Sequence, residues 1–395
     1  MSVENTQPII QAFALGSRFQ NGKSTADYLA PPPFLRKPVL SLKTWRSEKL
    51  PSTVDWGQQV TYELPQSSRI LSSCYLKIDL PALASSTYRQ NPGLFCISKF
   101  HLRSGGNIVY EASVADQWRS CLESFETQQE FQRYGKTFLG YEETLTLDAR
   151  TVYIPLPLPN SHLMRRSMEQ NGIFPTETNR VAIELVFTMS ANTEVAAMSN
   201  VVCPSIANAC SIELHTVEMS QSTAALYRNK VGNYSIVAQR HLVLKDWTAA
   251  TANQEYELNL MAPTGNIQEF TICAVPTPGA HAHRDIYANS VLPSEVRVVV
   301  DGITVYEKKD RQIVIENYTQ GYRKDHDECK EVCHVVFGSH GSYSSVCYAG
   351  SFNFRQVSQC KLYLKYPVNV DYKVASVALQ SIQIQSSGII KAFLD

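Results

Sequence analysis

Short words of this sequence recur in the same order about half a chain apart. That repetition restricts the chain to folds built from two like units. Asp55-Trp56 answers Asp246-Trp247 (246 − 55 = 191), and Tyr62-Glu63-Leu64 answers Tyr256-Glu257-Leu258 (256 − 62 = 194). Pro81 answers Pro276 (276 − 81 = 195). Gly106 with Val109-Tyr110-Glu111 answers Gly302 with Val305-Tyr306-Glu307 (305 − 109 = 196). Any one match can arise by chance between two β domains. A collinear set with slowly drifting spacing points to two copies of one domain separated by small loop insertions. Gly106 and Gly302 then fall in equivalent tight turns that exclude a side chain.

Each half is written in short runs rich in Val, Ile, Tyr and Phe. QVTYEL, CYLKIDL, LFCISKFHL, NIVYE, TVYIPLPL and VAIELVF fill the first half. HLVLKDW, QEYELNL, QEFTICAVP, EVRVVVDGITVYE, RQIVIEN, CHVVFG, SFNFRQ, CKLYLKYP and VALQSIQIQ fill the second. Turn formers such as PQSS, NPG, SGGN and PNS separate them, and several runs alternate with period two, which reads as strands with one buried face. One stretch departs from this. ASVADQWRSCLESFETQQEFQRYGK sets Trp118, Cys121, Leu122 and Phe125 at helical spacing, with Ser113 as cap and Gly135 as stop. Its single apolar stripe favours packing on its own sandwich over a place at a seam between subunits.

The fold class expected is all-β: two tandem β-sandwiches or barrels, which the family resemblance implies are jelly rolls, with one amphipathic helix in the first half. The boundaries are 1–50 for an extended N-terminal arm, 51–217 for the first jelly roll, 218–234 for a linker, and 235–395 for the second jelly roll and C-terminal tail. The arm follows from APPPFLRKP (Ala30 to Pro38), where successive prolines withhold amide donors and force extended geometry.

Composition narrows the function. Lys+Arg and Asp+Glu are 36 each, so no basic field exists to condense nucleic acid. The first 50 residues carry seven basic and three acidic side chains (7 − 3 = +4), a weakly basic arm. Charged residues make up only 18%, beside 20 Tyr and 15 Phe, as suits a surface hidden against neighbours. The ten cysteines are irregularly spaced, and Cys74, Cys96 and Cys273 sit in apolar runs, so buried free thiols are expected. MSVENTQPII has no signal-peptide pattern, and no apolar run approaches the ~18 residues of a membrane span. The sequons at Asn233 and Asn317 are therefore expected to stay unmodified.

The candidates for chemistry fall short of their motifs. GSRFQNGKST places five residues between Gly16 and Gly22 where a phosphate loop has four, and three prolines follow instead of a helix. His281-Ala282-His283 resembles a cupin metal pair, but Asp285 comes too early, with Tyr287 and Ala288 at the expected carboxylate position. Cys329, Cys333 and His334, with His326, His340 and Cys347 nearby, form the densest Cys/His cluster. Its spacing matches no common zinc knuckle, and a Cys/His-bearing strand beside a charged loop explains it as well. Glu142-Glu143 reads as a solvated rim beside a Gly140 turn, and Arg165-Arg166 as a solvated loop or a contact to an acidic neighbour. No catalytic residue, cofactor or metal is assigned, and the chain is not read as an enzyme.

Ile97 to Glu111 (ISKFHLRSGGNIVYE), the helix that follows, and Thr151 to Pro159 (TVYIPLPLP) resemble the N-terminal jelly roll of a capsid protein family. It comprises the double jelly-roll major capsid proteins of nucleocytoplasmic large DNA viruses, virophages and polinton-like viruses. Gly350 to Gln356 (GSFNFRQ) is similar to the family's Asn-Phe-Ser-Arg turn, with Phe354 in place of its Ser, and SIQIQSSGIIKAFLD is similar to its last strand and tail. The resemblance covers most of the chain from about residue 55.

It implies a structural protein of the virion: a homotrimer whose six sandwiches make a pseudo-hexagonal capsomer of an icosahedral double-stranded DNA virus. The implied partners are further copies of the chain, within and between capsomers. The arm would add minor capsid proteins or an inner membrane, without sequence-specific nucleic-acid binding. The competing readings are a minor capsid or vertex protein, a tandem β-sandwich glycan-binding protein and a bicupin enzyme. The duplication argues against the first, and the incomplete metal set against the last.

Overall fold

The computed structural model describes residues 41–65, 69–114, 116, 128–142, 146–156, 158, 181–197, 201–219, 233–260, 265–277, 291–319, 332–338, 351–354, 357–385 and 388–392. The first half contributes β1 (Ser41–Lys49), β2 (Gln59–Glu63), β3 (Arg69–Leu80), β4 (Ile97–Ser104), β5 (Asn107–Ala112), β6 (Arg150–Pro155), β7 (Ile183–Met189) and β8 (Cys210–Met219). The second contributes β9 (Asn233–Ala250), β10 (Glu255–Leu260), β11 (Asn266–Pro276), β12 (Glu295–Val300), β13 (Ile303–Lys309), β14 (Cys333–Val336), β15 (Phe352–Asn353), β16 (Cys360–Lys365), β17 (Val370–Gln385) and β18 (Gly388–Ala392).

In the first half the strands pair as β1-β8-β3-β6 and β2-β7-β4-β5. In the second they pair as β9-β17-β11-β14 and β10-β16-β12-β13, with β15 added to β11 and β18 to β17. Strand for strand the two halves have one connectivity, four strands on four, which is the jelly roll. Alternation along the strands supplies the cores. Leu76, Ile78 and Leu80 share the first core with Val152, Ile154, Ile212 and Leu214, and Phe270, Ile272 and Ala274 share the second with Val298, Leu362 and Val374.

Strand register corrects the word matches in detail. Leu102, Leu185 and Tyr62 share one rung of the first sandwich; Val298, Leu362 and Leu258 share the matching rung of the second. The offset is therefore 196 across this sheet (298 − 102 and 258 − 62), so Tyr62 corresponds to Leu258, one pleat beyond Tyr256. The hairpin words match residue for residue. Gly106 has φ +81° and Gly302 +82°, preceded by Gly105 at +57° and Asp301 at +46°. Both are two-residue turns with consecutive left-handed residues, whose twist suits a hairpin. A bulge follows at the same place, with Leu102 opposite Tyr110 and then Arg103 opposite Ile108, as Val298 stands opposite Tyr306 and then Val299 opposite Thr304. Asp55-Trp56, by contrast, lies in the turn before β2, whereas Asp246-Trp247 lies within β9, at a register shift. Pro276 is paired with Val370 at the end of β11, whereas Pro81 lies beyond β3.

Other departures have local causes. Residues 41–49, assigned to the arm, form β1 and pair with β8. RQIVIEN, read as a strand, is helix α2 (Arg311–Thr319). Its Ile-Val-Ile alternation is too short to fix a period, and burial of Ile313 and Asn317 shows the helical repeat of four. α2 follows directly on its hairpin, and Val114 and Asp116, just past β5, are helical as well. Helix α1 (Gln128–Tyr134) continues past the expected stop through one π turn, Gly135–Leu139. The stop is Gly140, at φ +69°, whose N–H caps the Gly135 carbonyl. Gly135 serves a different need: a Cβ there would lie 2.8 Å from Tyr141 Cβ. Trp118, Cys121, Leu122 and Phe125 lie outside the described residues.

Candidate functional site

The polar chemistry between the halves lies where the edge of one sandwich meets the edge of the other. β5 closes its sheet, and so does β9. The Ser113 amide, just past β5, donates to the His241 carbonyl on β9 at 2.7 Å, and Gln380 Nε2 on β17 donates to the Val109 carbonyl at 2.6 Å. Just past β5, Asp116 Oδ2 accepts from Ser113 Oγ at 2.6 Å and from Lys373 Nζ of β17 at 2.8 Å. The Lys373 and Asp116 side chains are 11% and 4% exposed. Arg240 is buried beside Tyr110 and Glu111. Burial lowers its pKa, and the neighbouring Glu111 and Tyr110 oppose that shift. Burial likewise drives the Tyr110 hydroxyl above its ordinary value.

Apolar contacts run alongside. Cys273 and Val275, on the face of β11 turned away from its own core, join the first core with Ile382. Glu269 and Thr271 share that face and are buried, and His334, opposite Thr271, places Nδ1 3.6 Å from Glu269 Oε1. The seam is thus a buried apolar strip bordered by buried ionisable side chains. Such charges fix one docking geometry, because separating them leaves uncompensated charge in low dielectric.

The sequence candidates separate accordingly. Of the Cys/His cluster, Cys333 and His334 lie buried in β14, on opposite faces of the strand; Cys329, His326, His340 and Cys347 lie outside the described residues. No group of three metal-ligating side chains occurs among the described residues. Gly16, Gly22, His281, His283, Glu143, Arg165 and Arg166 lie outside them. Glu142, its side chain 38% exposed beside the Gly140 turn, accepts from Thr146 Oγ1 at 2.8 Å and pairs with Arg150 at 3.3 Å, while Arg150 also holds the Gly140 carbonyl. Asn317 is buried, donating to the Val332 carbonyl at 2.7 Å and accepting from the His334 amide at 3.2 Å. The described cysteines are free and buried, and burial pushes the Cys203 thiol up to about 11 and Cys210, Cys333 and Cys360 up to about 12. Thiols so far from ionising are poor nucleophiles.

Two features escaped the sequence reading. Asp116 and Lys373 are far apart in the chain, and nothing local marks them as partners. Trp45, 52% exposed on β1, stacks on Tyr75 at 6.0 Å and meets His215 edge-on, while Tyr75 stacks on Phe138 of the π turn. Its Nε1 donates to Glu213 at 2.5 Å. Trp45 fell within the stretch read as arm, so its place in a sheet was hidden.

No family model matches the chain, and no curated protein matches it. Solved structures do. PBCV-1 VP54, fitted into a cryo-EM reconstruction of the virophage Sputnik, is 12% identical with a TM-score of 0.67, over 91% of this chain and 98% of that one. The Faustovirus major capsid protein is 10% identical with a TM-score of 0.59, over 96% and 98%. The mavirus major capsid protein is 10% identical with a TM-score of 0.52, over 89% and 90%. At such identities the likeness establishes the fold, a double jelly roll running nearly the whole length of each chain.

Proposed function

We propose, with the double jelly roll as premise, that this chain is a major capsid protein. Three copies would associate into a pseudo-hexagonal capsomer of an icosahedral double-stranded DNA virus. The observation that carries the reading is the identical strand order of the two halves, joined through one fixed seam. A chain that presents two equivalent units lets a threefold object occupy a site with sixfold outline. The solved structures with this fold include proteins described as major capsid proteins of Faustovirus and mavirus. Zero net charge suits a shell wall that does not itself condense the genome. The work is burial of surface between copies, without bond chemistry. In this reading the chain resides in the virion, and the Pro-rich arm ties capsomers to minor capsid proteins or an inner membrane.

Sedimentation velocity of the purified full-length chain tests this. A single species at three times the chain mass is the expected result, and a monomer persisting at high micromolar concentration would rule it out.

A further inference from the structure

The outward face of the β1-β8-β3-β6 sheet carries an aromatic row that ends in the open. Tyr134 of α1 packs on Phe138 at 4.5 Å, Phe138 stacks on Tyr75 of β3 at 5.7 Å, and Tyr75 stacks on Trp45 of β1 at 6.0 Å. Tyr134 and Phe138 are partly buried, whereas Trp45, the last of the row, is 52% exposed. A lone exposed aromatic needs no explanation. Trp45 differs because a buried carboxylate fixes its orientation. Glu213, on the outward face of β8, is 4% exposed. It accepts from the Trp45 indole, from Ser47 Oγ at 2.7 Å and from Ser211 Oγ at 3.0 Å. His215 meets the ring edge-on, with centroids 3.8 Å apart. The single N–H donor of the indole is thus used within the chain. What Trp45 offers a partner is a flat hydrocarbon surface.

A partner matched to that surface is apolar, flat-sided and without donors. Proline rings meet all three conditions, and a run of prolines takes the extended polyproline helix with little ordering cost, which is how aromatic-lined surfaces recognise it. This chain carries such a run just upstream: PPPF, residues 31–34. Phe34 lies seven residues before the start of β1 (41 − 34 = 7), and Trp45 lies four residues into the strand (45 − 41 = 4). Four residues of strand cover about 13 Å. Seven extended residues reach about 23 Å. Residues 35–40 therefore suffice to reverse direction and lay 31–34 back along β1. So short a tether holds the run at roughly millimolar effective concentration around the ring. We infer that residues 31–34 of the arm dock on Trp45 of their own chain, with proline rings stacked on the exposed indole. The inference goes beyond the capsomer reading and does not depend on it, because the contact closes within one chain. It gives the arm a fixed point of departure at the edge of the first sandwich.

Fluorine NMR of the full-length chain labelled with 5-fluorotryptophan tests it. Trp45→Phe identifies the Trp45 resonance among the four. A neutral gadolinium chelate in solution then broadens each resonance according to its exposure. Wild type is compared with a Pro31→Gly/Pro32→Ser/Pro33→Gly/Phe34→Ser chain. Broadening at Trp45 is expected to rise at least about twofold in that variant, because a tethered segment whose Kd does not exceed its effective concentration covers the ring at least half the time. The Trp56 and Trp247 resonances should not change. A free peptide of residues 28–39 should reverse the gain with a Kd at or below about 1 mM. Equal broadening of Trp45 in the two chains overturns the inference. So does protection restored by mixing the labelled variant with unlabelled wild type, since another copy then supplies the cover. A wild type that sediments as a monomer defeats the capsomer reading and leaves this test intact. Should Trp45→Phe misfold, p-benzoylphenylalanine in place of Phe34 gives a second readout. Light-induced cross-links to β1 or β3 of the same chain support the contact, and their absence from folded protein overturns it.

Discussion

The β4–β5 and β12–β13 hairpins share a turn, a bulge and three consecutive residues, yet Val109 is buried and Val305 is not. Backbone geometry is set by what the words dictate locally: two left-handed residues, then an extra residue that tightens the twist. Burial is set by what the chain brings alongside. For β5 that is the second sandwich; for β13 nothing in the described part of the same chain plays that role. A repeated sequence therefore specifies repeated local structure without specifying repeated surroundings.

The comparison can be broken most severely at the seam. Lys373→Met leaves the Asp116 carboxylate buried without its ammonium partner, at a cost of about 3–5 kcal/mol. Calorimetry should then resolve two unfolding transitions where coupled sandwiches give one; an unchanged single transition would show that the apolar strip alone holds the halves. Leu185→Ala and Leu362→Ala remove matched, fully buried side chains from the same rung of the two sandwiches. Each should cost about 3 kcal/mol in urea titrations. Equal losses would confirm that the cores are as alike as their topology, and unequal ones would show which core has the less room to relax.

Gly106→Ala and Gly302→Ala impose a left-handed φ on a residue with a Cβ, while that Cβ meets nothing within 4 Å at either site. The penalty is backbone strain alone, about 1 kcal/mol, and should be the same in both halves by chemical denaturation. The smallest effect expected is on acid stability. Burial pushes the Asp55 carboxyl up, but the Ser205 hydroxyl with the Ile206 and Trp56 amides together bring it below its ordinary value. A folded pKa below the unfolded one means the stabilisation is present above about pH 4 and lost as pH falls through the folded value. Asp55→Asn should flatten that acid limb for the first sandwich, and a titration of stability between pH 5 and pH 2 would detect it.

Most of this architecture was legible because strands declare themselves by period two and hairpins by their glycines. SGGN and VDGI gave the turns to the residue. The failures share a cause: short runs underdetermine their period. IVI in RQIVIEN fits a strand as well as a helix, and only the packed positions Ile313 and Asn317 decide between them. Word matching found the right strand for Tyr62 but slipped one pleat, since Tyr-Glu-Leu tolerates a two-residue shift without exposing its core side. The seam was illegible for a different reason. Asp116 meets Lys373, and His241 and Gln380 meet the first half, only through tertiary structure, and no spacing rule reaches across half a chain.

Asn317 heads an Asn-Tyr-Thr triplet, the acceptor pattern for oligosaccharyltransferase, yet its amide nitrogen is a structural donor to the Val332 carbonyl just ahead of β14. A sugar attached there could be added only to the unfolded polypeptide and would then bar α2 from closing on β14. Routing this protein through a secretory compartment would thus trade a helix anchor for a glycan, so eukaryotic expression intended to yield folded material is best kept out of the endoplasmic reticulum.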